Sequence, residues 1–135
     1  MNTKIYEHDN DVEVTHKINT IELDNWINHL KYIDKEVNNL VNMCTINDKL
    51  EDKTVLQRFQ KKKTENSNLL SALLNYSNSR VDIAECEDMN CDMTFLKEHE
   101  AYRKSYLYHL DKYRRLKDEF FDKVQGKFTL MNGVS

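Results

Sequence analysis

The stretch "LKEHEAYRKSYLYHL", residues 96–110, gathers His99, His109, Tyr102, Tyr106 and Tyr108. Histidine is the commonest metal ligand and tyrosine is a ring with a hydrogen-bonding tip, so metal or ligand binding is the first chemistry to test. His99 and His109 stand ten residues apart, about 15 Å along a helix, too far to share one ion. A metal site in a helical bundle draws ligands from facing helices, and its di-iron form repeats Glu-x-x-His on two of them. Here only Glu13-Val14-Thr15-His16 has that spacing. Asp24, His29, His99 and His109 do not reproduce the histidine and carboxylate order of a hemerythrin-like centre. No metal, cofactor or catalytic residue is therefore assigned.

Two other readings account for the same rings. Tyrosine and histidine suit the seam of a thin bundle that is only partly dry, because each offers an apolar body and a polar tip. Alternatively, His99, Tyr102, Tyr106, His109 and Tyr113 form an interaction face, an aromatic surface left open to a protein partner or to a second copy of the chain. His29, three residues after Trp26 and one before Leu30, sits at the edge of such a seam.

The remaining chemical candidates are weaker. Cys86 and Cys91 lie five apart in an acid-rich stretch with Cys44 distant, without the paired Cys-x-x-Cys of a zinc site, so free thiols are expected. Asp82, Glu85, Glu87, Asp88 and Asp92 lack the residue order and glycine of a calcium loop and read as a solvated connection. The basic runs Arg58, Lys61, Lys62, Lys63 and Lys112, Arg114, Arg115, Lys117 suit wet helix faces paired with nearby acids. A formal net charge of -3 gives no electrostatic reason to expect nucleic acid or an anionic membrane.

These residues must be held by helices. The 135 residues contain no proline and only two glycines, Gly126 and Gly133; without that punctuation an all-β fold has no turns to use. Hydrophobic residues make up 39% and charged residues 32%, and the mean hydropathy of -0.79 suits long helices with exposed side walls. No apolar run approaches the ~18 residues that span a bilayer, and the opening "MNTKIYEHDNDVEV" lacks a secretory pattern. With an odd number of cysteines, this favours a cytoplasmic setting.

Residues 1–17 show no sustained periodicity and are expected to be a flexible polar arm. From Leu23 through Trp26, Leu30, Ile33, Val37 and Leu40 to Cys44, apolar residues alternate spacings of three and four, widened by Ile27 and Val41. This predicts a first helix over about 19–46, with Asn19 and Glu22 as a capping box. A second helix over about 48–84, capped by Asp48 and Glu51, carries Val55, Leu56 and Phe59, then Leu69, Leu70, Leu73, Leu74 and Tyr76. Between these blocks the register falls on Lys62 and Asn66. The simpler reading turns that face to solvent, or lets Lys62 snorkel; the other makes it a polar device fixing register. A third helix over about 93–125, capped by Asp92 or Thr94, carries Phe95, His99, Tyr102, Tyr106, His109, Tyr113, Leu116 and Phe120 in the same alternation and ends near Gly126. Leu110 and Val124 broaden its stripe, and residues 127–135 remain as a tail. Short connections force antiparallel neighbours, so the expected fold is all-α: an elongated antiparallel up-down-up three-helix bundle with coiled-coil-like packing.

Three stretches, "DNWINHLKYIDKEV", "DKTVLQRFQKKK" and "YRKSYLYHLDKYRRLKDEFFDKV", resemble in their order a family of small, all-helical, uncharacterised proteins of Bacteroidetes bacteria. The resemblance covers most of residues 20–124, implies a helical bundle, and brings no assigned activity. It does not extend to "VDIAECEDMNCD". With no convergent catalytic set in view, the expected function is that of a non-enzymatic helical module for protein–protein interaction, an adaptor, scaffold or regulator. The alternative is a metal- or ligand-binding bundle using His99, His109 and their neighbouring tyrosines.

Overall fold

The computed structural model describes the backbone of residues 3–46 and 53–131, and the side chains of residues 11–45 and 53–125. The chain forms three helices, α1 (Thr3–Ile46), α2 (Lys53–Ser79) and α3 (Met89–Met131), with a 3-10 segment, Arg80–Glu85, closing α2. Among the described residues only 86–88 lie outside helix. No described helix is long and apolar enough to cross a membrane.

Cross-helix hydrogen bonds fix the directions. Partners on α1 and α3 keep a near-constant numbering difference: 76 for His16 and Asp92, then 77 for Glu22 and His99, His29 and Tyr106, and Glu36 and Tyr113. These two helices run parallel. Between α2 and α3 the difference shrinks along the chain, from 61 for Arg58 and Glu119 through 43 for Asn66 and His109 to 23 for Tyr76 and His99. Between α1 and α2 it changes from 36 for Leu30 and Asn66 to 64 for His16 and Arg80. α2 therefore runs against both neighbours.

The apolar alternation on α1 becomes the core. Leu23, Trp26, Ile27, Leu30, Ile33, Val37 and Leu40 are buried against Val55, Phe59 and Leu73 of α2 and Leu116 and Phe120 of α3. Phe59 and Phe120 meet edge to face at 5.4 Å, a geometry in which a positive ring edge meets a negative face.

Several expected boundaries move. Residues 1–17 were expected as a flexible arm, yet α1 begins at Thr3, and His16 and Asn19 are 8% and 6% exposed. Asn19 is thus an interior residue of a continuous helix and not its cap. The stretch from Val14 to Ile21 looks unpatterned because its periodicity is inverted: polar His16 and Asn19 face the bundle while Val14, Ile18 and Ile21 face out, at 45%, 59% and 63% exposure. The caps expected at Asp48 and Glu51 lie outside the described residues. α2 tightens after Ser79, whose hydroxyl bonds the Tyr76 carbonyl at 2.8 Å, and the Cys86 N–H closes the 3-10 segment on the Ile83 carbonyl at 3.0 Å. α3 starts earlier than expected because Asp88, not Asp92 or Thr94, accepts the Cys91 N–H at 2.9 Å, the bond of an N-cap. At its far end α3 passes Gly126, the expected stop, to Met131. One glycine costs a helix only about 1 kcal/mol.

Candidate functional site

The expected interaction face points inward. His99, Tyr106, His109 and Tyr113 are 1%, 8%, 6% and 3% exposed. Tyr102 is half-buried, stacked on Tyr76 with ring centroids 4.6 Å apart. The physical reason is register. α3 sits against α1 so that its stripe meets positions 22, 29 and 36 of α1, seven residues apart and beside the apolar seam. Each heptad of the α1–α3 contact therefore carries one polar pair.

The first rung is the most connected. Arg80 of the 3-10 segment donates to the Tyr76 hydroxyl at 2.7 Å, and that hydroxyl lies 2.7 Å from His99 Nδ1. His99 Nε2 lies 2.8 Å from Glu22 Oε1, and Arg103 adds two N–H bonds to the same carboxylate at 3.0 and 2.6 Å. A carboxylate can only accept, so Nε2 carries the proton, and Tyr76 donates to the bare Nδ1. The Trp26 ring stacks on His99 at 4.8 Å and on Tyr106 at 5.3 Å, sealing the first two rungs. Burial holds the His99 pKa below its ordinary value, against the pull of Glu22. The Arg103 bonds hold the Glu22 carboxyl below the usual range.

In the second rung the Tyr106 hydroxyl lies 2.5 Å from His29 Nδ1, and burial followed by nearby Lys117 keeps His29 low. In the third, Tyr113 and Lys117 both donate to Glu36 Oε1, at 2.7 and 2.8 Å. Burial works to raise the Glu36 pKa, but the bonds from Lys117 and Tyr113 outweigh it and the net direction is down.

On the α2 side, Lys62 and Asn66 are 7% and 0% exposed, which overturns the expectation that this face turns to solvent. Asn66 donates to the Leu30 carbonyl at 2.9 Å and its Oδ1 lies 2.8 Å from His109 Nε2, so one amide ties all three helices together. The Lys62 ammonium pairs with Glu65 at 2.7 Å. Burial, then the Lys62 charge, depresses His109 to about 4.

An open groove of about 750 Å³ lies between the first part of α1 and the corner joining the 3-10 segment to α3; His16, Thr20, Arg80, Cys86 and Asp92 are among its walls. Arg80 spans it, donating to the His16 carbonyl at 2.8 Å and to Thr20 Oγ1 at 2.9 Å, while His16 and Asp92 pair at 2.9 Å. Cys86 and Cys91, expected as free thiols, are joined in a disulfide. Their helix boundaries bring them together: one directly follows the 3-10 segment and the other lies in the first turn of α3. This pairing removes the cysteine argument for a reducing compartment. Among the described residues no three histidine, cysteine or carboxylate groups converge as metal ligands. His16 pairs with Asp92, while His99 bonds Tyr76 and Glu22 and His109 bonds Asn66.

Residues that sequence reasoning missed are Glu22, Glu36, Arg80, Arg103 and Lys117 as partners of the seam. A signal was present in the heptad spacing of Glu22, His29 and Glu36. Compared with known protein families, curated proteins and solved structures, the chain finds no match in any of the three.

Proposed function

We propose that the chain is a non-enzymatic helical interaction module whose working surface is the outer face of α1. The inverted stretch of α1 carries this reading. From Val14 to Ile21 the helix buries His16 and Asn19 and exposes Val14, Ile18 and Ile21. Such an arrangement leaves apolar side chains in water unless another surface covers them. Tyr32, 60% exposed, extends the same side. Glu22, His29 and Glu36 support the reading in a second way, since each is engaged across the α1–α3 contact, with His99, Tyr106 and Tyr113 in turn.

A photoreactive phenylalanine analogue placed at Ile21, and separately at exposed Lys104 on α3, tests this in the source cells. The expected result is a protein adduct, with the chain itself or with another protein, from position 21 and not from position 104. Equal labelling at both positions, or none at 21, overturns the reading.

A further inference from the structure

We infer that the partner of the α1 outer face is a second copy of this chain, with the two α1 helices lying side by side and parallel; this rests on the interaction-module reading and names its partner. Val14, Ile18, Ile21, Asn25, Asn28 and Tyr32 alternate spacings of four and three. That places 18, 25 and 32 in the a positions of a heptad and 14, 21 and 28 in the d positions. All six are exposed, on the side of α1 opposite Leu23, Leu30 and Val37. The stripe covers five helical turns, about 27 Å.

The charges beside the stripe choose both occupant and direction. Lys17, Asp24 and Lys31 flank it on one edge, and Thr15, Glu22 and His29 on the other. In a parallel pair the first edge of one helix faces the second edge of its neighbour five residues on. Lys17 then meets the partner's Glu22 as an ion pair, and Asp24 meets the neutral imidazole of the partner's His29, which can offer it a hydrogen bond. An antiparallel pair sets like edges together, placing Lys17 against the partner's Lys31 and Asp24 against the partner's Asp24, which repels. Asn25 falls at an a position opposite itself, where one asparagine selects register and a two-stranded pairing. Glu22 can serve twice, since Oε2 accepts one bond, from Arg103, and a carboxylate oxygen has two acceptor sites. A foreign partner would have to supply this pattern; the chain already holds it.

Sedimentation equilibrium of the full chain from micromolar to millimolar concentration tests the proposal. The weight-average mass should rise toward twice the monomer. Ile18→Glu with Ile21→Glu should weaken that association by about a hundredfold or more while leaving the far-ultraviolet circular dichroism unchanged. Direction is read from Val14→Cys. Parallel pairing brings the two positions together and gives chains crosslinked at residue 14, whereas antiparallel pairing parts them by about 27 Å. A dimer that survives the double substitution, or one that gives no crosslink at 14, overturns the proposal. So does a chain that stays monomeric throughout. A monomer whose position 21 still captures another protein leaves the module reading standing, whereas a monomer with no adduct at 21 removes both.

Discussion

Asn66 and His109 show what a buried polar pair costs and supplies. The Asn66 amide spends both ends, donating to the Leu30 carbonyl and accepting from His109 Nε2. Replacing it with alanine strands the His109 Nε2–H and removes the second bond of the Leu30 carbonyl, which keeps its bond within α1. The stranded donor costs about 1–3 kcal/mol and the lost carbonyl bond about 1 kcal/mol, so Asn66→Ala should lose about 2–4 kcal/mol in urea unfolding; a loss under about 1 kcal/mol would show that water replaces the amide. His109 adds a pH dependence. Its pKa falls to about 4 in the fold and returns to about 6.5 when unfolded, so between these values the unfolded chain binds the extra proton. Stability is complete above about pH 6.5 and drains as pH falls toward 4, by about 3 kcal/mol in all. His99 and His29 shift the same way. Glu22, Glu36 and Glu65 also lie low, but their contribution is lost in a separate window, as pH falls below the ordinary carboxylate range. His109→Gln, which can keep the bond to Asn66, should flatten the thermal midpoint between pH 6.5 and 4.5. An unchanged slope would assign that dependence to the other histidines.

At the scale of the elements, legibility followed the direction of burial. The seam from Leu23 to Leu40 reads directly because its apolar side chains face inward, where helical periodicity is expected to place them. The segment before it is just as helical but hides polar residues and shows apolar ones, so a search for an inward apolar stripe finds nothing. The α3 stripe is legible in spacing but not in facing, because an aromatic, hydrogen-bonding seam and an aromatic docking face have the same composition. The disulfide and the Asp88 cap depend on a corner whose geometry no periodicity encodes. That corner holds the beginning of α1 by few bonds: Arg80 to the His16 carbonyl and Thr20 hydroxyl, and His16 to Asp92. Arg80→Met keeps the buried stem and removes the donors. Amide protection over residues 11–20 should fall while that over 23–40 persists, because the latter rests on the apolar core. Equal loss in both segments would mean that α1 opens as one unit.

Over the whole molecule, a three-helix bundle with one uniform apolar seam could close in several registers, since sliding a helix by a heptad returns the same apolar contacts. The ladder breaks that degeneracy. Glu22 with His99, His29 with Tyr106 and Glu36 with Tyr113 are chemically different rungs at equal spacing. A slip by one heptad sets Glu22 against Tyr106 and His29 against Tyr113, separating Glu22 from Arg103 and Glu36 from Lys117. Buried polar pairs contribute little net stability compared with well-packed apolar residues, and their best-attested use is to fix register. Replacing all six rung residues with leucine or phenylalanine, together with Arg103→Leu and Lys117→Leu, should therefore raise the thermal midpoint. The same change should multiply the amide resonances in a nitrogen–proton spectrum as registers interconvert. A variant that is more stable and still gives one sharp set of resonances would show that the core and the connections alone select the register, and would remove this role from the ladder. If the spectrum does multiply, then His99, Tyr106 and Tyr113 have their use inside the fold, and the proposed partner contact rests on the outward apolar residues of α1 instead.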